Sequence, residues 1–141
     1  MPLPIPEAGL VISYGYLWRS EYEQGRESGT KDRPCAIVLT ARDQDGDIVV
    51  TVVPVTHSPP LDANDAVEIP APTRRRLGLD DAPSWIVVSE VNRFVWPGPD
   101  LRPIARGAPD RFDYGVLPPA LFRQIKERLA ARRVGAVQRT V

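Results

Sequence analysis

One cysteine, Cys35, stands in the 141 residues, so the chain can hold neither an internal disulfide nor a zinc site built from several cysteines. Cysteine usage this sparse fits a reducing cytosol, and Cys35 itself reads as a buried core residue. There is likewise one histidine, His57, and no clustered ligand set around it, which argues against a transition-metal centre. Charge of one sign is also missing: 18 basic side chains balance 18 acidic ones. Any affinity for nucleic acid must therefore come from a local patch rather than from a global field. No apolar run reaches the ~18 residues that would span a bilayer, and the opening Met1-Pro2-Leu3-Pro4-Ile5-Pro6 lacks a basic start and an apolar core. We read a soluble, cytoplasmic protein without membrane association. Its length suits one domain over residues 1–141, with 1–8 a flexible or extended N-terminal segment.

Proline, in contrast, is abundant, at 16 residues gathered near 54–72, 97–109 and 118–119. Apolar strands run between these groups, so they mark loops rather than disorder. Leu10, Ile12, Tyr14, Tyr16 and Trp18 alternate with smaller or polar neighbours, a period of two that predicts a first strand, bent or bulged at Gly15. From Arg19 to Asp32 charge and glycine dominate, and a loop of that length in a compact domain is often functional. Strands are expected at 34–41 and 47–55, joined through Asp43-Gln44-Asp45-Gly46, where Asp-Gly signals a hairpin.

A short strand at 66–69 should follow, then one helical turn over 74–77 capped by Thr73 and stopped by Gly78. The apolar run from Trp85 predicts a strand to about Val95, ended by Trp96-Pro97-Gly98-Pro99, with a small strand at 101–105. After Pro118-Pro119, Leu121, Ile125 and Leu129 recur at four-residue spacing, predicting an amphipathic helix over 119–133. The sum is a mainly β protein, a small antiparallel barrel or curled sheet covered by a C-terminal helix. A dinucleotide fold is disfavoured, because strands and helices do not alternate and no Gly-x-Gly-x-x-Gly follows the first strand.

Polar residues at the tips of these strands are the candidates for chemistry. Arg33 sits where the charged loop meets an apolar strand, so its stem can pack while its fork of donors reaches a phosphate; alternatively it pairs with Glu27 or Asp32 to hold the loop. The Thr56 hydroxyl can donate to a phosphoryl oxygen or cap the turn after Pro54. Glu90, on an otherwise apolar run, must be solvated or paired: a general base, or a salt-bridge partner of Arg33. His57 is a proton donor if it faces the cleft and surface decoration if it does not. Three basic groups, Arg74 to Arg76, Arg102 with Arg106, and Arg128, Arg132, Arg133 and Arg139, are either RNA contacts or solvated faces. Phe94 and Trp96 can stack on an unpaired base or pack in the core.

In this order, Gly25-Arg26-Glu27, Arg33-Pro34 opening a β run, Val53-Pro54-Val55-Thr56-His57-Ser58, and Ser89-Glu90-Val91-Asn92-Arg93 resemble the MazF/PemK/Kid family of toxin endoribonucleases. Trp85 and Trp96-Pro97-Gly98 look like its PemK-like branch. The resemblance covers most of the chain from Gly9 to the last helix. It implies an SH3-like, CcdB/PemK-like barrel, a homodimer, and metal-independent, cofactor-free cleavage of single-stranded RNA to 2′,3′-cyclic phosphate and 5′-hydroxyl ends. It further implies a cognate antitoxin that neutralises the toxin. Arg33 and Thr56 would be the transition-state pair and Glu90 the base, with Glu27, Lys31, His57, Ser58, Asn92 and Arg93 around the substrate. Where Kid-like members carry an arginine two positions before the acidic base, this chain has Val88, and the base is glutamate instead of aspartate. The other reading is a non-catalytic module on the same barrel: a CcdB-like gyrase inhibitor, or a lapsed nuclease that only binds RNA or a partner.

Overall fold

The computed structural model describes residues 3–26, 31–105, 109–131 and 136–138. Its centre is the hairpin of β2 (Arg33–Arg42) and β3 (Ile48–Thr56), two long runs rich in β-branched residues. The expected Asp-Gly turn closes it. Gly46 takes φ +83, a left-handed conformation that favours glycine. The Asp43 carboxylate accepts from the Asp45 and Asp47 amides, each at 2.9 Å. Register runs from Cys35 opposite Pro54 to Arg42 opposite Ile48, with an irregularity at Val38.

Strand β1 (Leu10–Tyr14) pairs antiparallel with β2, and β7 (Asp113–Val116) pairs with β1. The other edge of β3 is shared. Its first half pairs with β6 (Val91–Val95) and its last two residues with β5 (Trp85–Val87), which in turn pairs with β4 (Ala66–Glu68). The single strand expected over 85–95 is therefore two. Val88–Glu90 loop out between them, and the Val88 amide leaves the ladder to donate to the Asp65 carbonyl at 2.8 Å. A short β8 (Ala136–Gln138) adds a parallel pairing on β6. The sheet is antiparallel apart from this strand, and among the described residues no pairing joins its ends β4 and β7, so it is curled but open.

Both faces of the sheet are covered, which is why its strands read as continuous apolar runs. One face buries Val11, Ala36, Val53, Val55 and Ile86 beneath Leu121 and Ile125 of α3 (Pro119–Ala130) and Leu77 of α2 (Ala71–Leu77). The other buries Ile12, Tyr14, Ile37, Val52 and Phe94 beneath Tyr16, Trp18, Trp96 and Leu101. Phe94 stacks on Tyr14 at 4.6 Å, so the core role holds for it, and Trp96 packs against the same cluster.

Several expected boundaries move. The first strand stops at Tyr14, because the Gly15 amide turns to the Asp100 carbonyl at 2.9 Å, and Arg19–Glu23 forms a short helix α1 inside the expected loop. Thr73 does not cap α2. The helix begins three residues earlier, at Ala71 after Pro70, and Thr73 is buried within it, while Gly78 ends it in the left-handed conformation as expected. The 101–105 strand reduces to bridge positions at its two ends, Leu101, which pairs with Tyr14, and Ala105. Helix α3 starts at Pro119 as expected and ends at Ala130. Residues 3–7 carry neither helix nor strand, and no helix among the described residues is long and apolar enough to cross a membrane.

Candidate functional site

The β2–β3 register decides where the candidate chemistry lies. With Cys35 opposite Pro54, the next residues outward along the two strands bring Arg33 and Thr56 together at one end of the hairpin. Both line a cleft of about 840 Å³ between this end of the sheet and the segments 57–61 and 78–84. Lys31, His57 and Ser58 line it too, as do Trp18 and Tyr114.

Arg33 is half-buried. Its Nη1 donates to the Val55 carbonyl at 3.3 Å, and its guanidinium carbon lies 5.0 Å from the centroid of the Trp18 ring. Its Nε is buried without a partner. The alternative partner Asp32 is engaged by Arg102 at 3.6 Å, and Glu27 lies outside the described residues. The guanidinium thus carries no carboxylate among the described residues, and an anion at the cleft has a cation to meet. Thr56 shows the capping role: its Oγ1 accepts from the Ser58 amide at 3.1 Å. A hydroxyl that accepts in this way keeps its own hydrogen to donate.

His57 faces the cleft and ties two of its walls together. Nε2 lies 2.9 Å from the Asp80 carboxylate and Nδ1 lies 3.0 Å from the Pro83 carbonyl. Asp80, unremarked in the sequence, belongs to this wall, and its other oxygen accepts from the Ala82 amide at 3.1 Å.

Three expected site residues lie elsewhere. Glu90 does not line the cleft and makes no ion pair with Arg33. It accepts from the Tyr16 hydroxyl at 3.2 Å and from the Arg19 amide at 2.9 Å. Burial pushes its carboxyl above the usual range, and those two hydrogen bonds offset this only in part. Burial and the neighbouring Glu90 likewise push the Tyr16 hydroxyl up, so it stays protonated and donates. Asn92 is fully buried, with its carbonyl accepting from the Leu17 amide at 3.0 Å and its amide donating to the Leu17 carbonyl at 2.8 Å. It is a structural brace, with no surface left for substrate. Arg93 points its Nε at Thr51 Oγ1, 3.5 Å away, on β3 and away from the cleft.

The basic groups are largely spent on the fold. Arg74 donates to the Ile69 carbonyl, Arg76 to that of Val116, Arg128 to that of Ala63, and Arg102 to that of Pro99. Arg106, Arg132, Arg133 and Arg139 lie outside the described residues. Asp43, Asp45 and Asp47 bring carboxylate oxygens within 4.8 Å of one another, but they sit at the exposed hairpin tip, where Asp43 is already closing the turn. Trp18 is the cleft residue the sequence concealed, because its place in the alternating run suggested a core strand position.

No protein-family model matches this chain, and no curated protein matches it. The functional reading rests on the cleft itself.

Proposed function

We propose that the chain is a toxin endoribonuclease of the MazF/PemK/Kid kind on an SH3-like barrel, acting in the cytoplasm as a homodimer and neutralised by a cognate antitoxin that occupies the cleft. The observation that carries this reading is the meeting of Arg33 and Thr56 on one cleft, with the Arg33 guanidinium free of any carboxylate among the described residues. A phosphate of single-stranded RNA binds there. The ribose 2′-oxygen then bonds to phosphorus as the bond to the 5′-oxygen breaks, leaving a 2′,3′-cyclic phosphate and a 5′-hydroxyl. Arg33 and the Thr56 hydroxyl meet the charge that builds on the non-bridging oxygens. The 2′-hydroxyl proton passes to the Asp80 carboxylate on the cleft wall, and the departing 5′-oxygen takes its proton from His57, whose Nε2 faces that carboxylate. Lys31 and Ser58, on the same walls, hold the flanking backbone.

The single test of this assignment is Arg33→Ala, which should slow cleavage ~10²-fold or more, the scale lost with one transition-state donor. Unchanged cleavage by the variant removes Arg33 from the site. One observation favours the other reading, a module that binds RNA or a partner without cutting: both ring nitrogens of His57 already face protein oxygens. RNA bound by wild type and recovered intact would select it.

A further inference from the structure

Arg33 is held by little that is its own: one 3.3 Å bond to a main-chain carbonyl and the face of one indole. The indole is where the fold has concentrated its restraints. Trp18 lies beyond the end of β1, on a stretch with no strand partner, where a main chain would ordinarily drift. Two residues, Glu90 in the β5–β6 connection and Asn92 at the start of β6, replace that partner. Asn92 completes both main-chain hydrogen bonds of Leu17, as an adjacent strand would, with an amide that is itself fully buried. Glu90 takes the amide of Arg19 and, with the same oxygen, the hydroxyl of Tyr16, whose ring meets the Trp18 ring edge-on at 5.2 Å. Glu21 adds a bond from the Trp18 amide at 3.1 Å. The residues on both sides of Trp18 are thus gripped from one segment, and the exposed part of the indole forms the cleft wall beneath Arg33.

We infer that Glu90, Asn92 and Trp18 are positioning residues, with Glu90 and Asn92 fixing the indole and the indole aiming the Arg33 guanidinium into the cleft. This rests on the reading of Arg33 as the phosphate-binding cation. It assigns Glu90 a role that depends on its oxygen as an acceptor and not on its charge. A carboxamide therefore replaces it, whereas a general base has no such substitute.

The test pairs RNA cleavage with a spectroscopic readout that needs no RNA. In the full-length free protein, the buried Nε–H of Arg33 should give a resolved, slowly exchanging resonance in a ¹⁵N–¹H spectrum. Glu90→Gln should keep that resonance and cut long single-stranded RNA within about threefold of wild type. Glu90→Ala and Trp18→Leu should broaden or lose the resonance and slow cleavage by ~10- to 100-fold in kcat, the scale of a displaced catalytic group. Trp18→Phe should restore both, because a ring face returns. Combining Trp18→Leu with Arg33→Ala should be no slower than Arg33→Ala alone, since both remove one contribution.

An unchanged Arg33 resonance in Trp18→Leu overturns the inference whatever happens with RNA. So does Glu90→Gln cutting as slowly as Arg33→Ala with its resonance intact, which would make Glu90 a base. Wild-type protein that shows the ordered resonance but neither cuts nor binds RNA defeats the nuclease reading and leaves the indole as an aid to Arg33 packing alone, overturning the role claimed for it.

Discussion

Asn92→Ala separates a structural brace from a substrate contact. In the folded protein the Asn92 side chain is wholly buried and satisfies both the amide and the carbonyl of Leu17, a residue only 2% exposed. Truncation to alanine leaves two buried main-chain groups unpaired, each worth about 1–3 kcal/mol in lost solvation. The combined cost is roughly 2–6 kcal/mol, and at about 4 °C per kcal/mol for a domain of this size the melting temperature should fall by roughly 8–24 °C. Urea unfolding followed by tryptophan fluorescence measures this as a shift of the midpoint at constant slope. Asn92→Asp should be at least as damaging, because it removes the donor to the Leu17 carbonyl and buries a charge. A surface residue reserved for substrate would change stability by about 0.5 kcal/mol or less. An Asn92→Ala protein that melts within about 3 °C of wild type therefore refutes the brace, and with it the reason for placing Trp18.

Three further substitutions probe the frame around the site. Ile125→Ala, at a position of α3 with no exposed surface, should cost about 2–5 kcal/mol by chemical denaturation, and a cost under about 1 kcal/mol would mean that α3 does not cover the sheet as described. Gly98→Ala should lose about 1–3 kcal/mol: its φ is +68, and an added Cβ would lie 3.1 Å from Phe94 and 3.2 Å from the Val95 carbonyl. A wild-type melting temperature would contradict it. Glu90→Gln should show a pH-dependent gain. Burial raises the Glu90 carboxyl in the folded state above its unfolded value, so its contribution is complete below the ordinary glutamate range and is lost as pH rises through the raised value. The variant should match wild type near pH ~4 and gain on it towards neutrality, whereas a difference that does not change with pH removes the burial argument.

Much of the frame is legible in the chain because its signals are local. Residues 33–56 announce themselves through two β-branched runs around Asp45-Gly46, and α3 through Leu121, Ile125 and Leu129. Arg33 and Thr56 follow from the same register, since a hairpin brings its outer ends together. What escapes is set by distant partners. Trp85–Val95 reads as one strand, and nothing in it announces that β3 takes two of its segments and rejects Val88–Glu90 between them. Tyr16 and Trp18 continue the period of β1, but their segment is held through Tyr16, Leu17 and Arg19 by side chains more than 70 positions away. For the same reason Glu90 and Asn92 read as site residues, since a polar group on an apolar strand looks alike whether it faces a ligand or a buried main chain. The short α1 and β7 escape because Arg19–Glu23 and Asp113–Val116 carry too little apolar pattern to register.

The cleft's proposed chemistry is tested most directly by incubating the purified full-length protein with a long single-stranded RNA in EDTA and analysing the ends. Fragments ending in 2′,3′-cyclic phosphate and beginning with 5′-hydroxyl, absent with Arg33→Ala, are the expected result. RNA that stays intact under wild-type protein, or is cut equally well by Arg33→Ala, contradicts it.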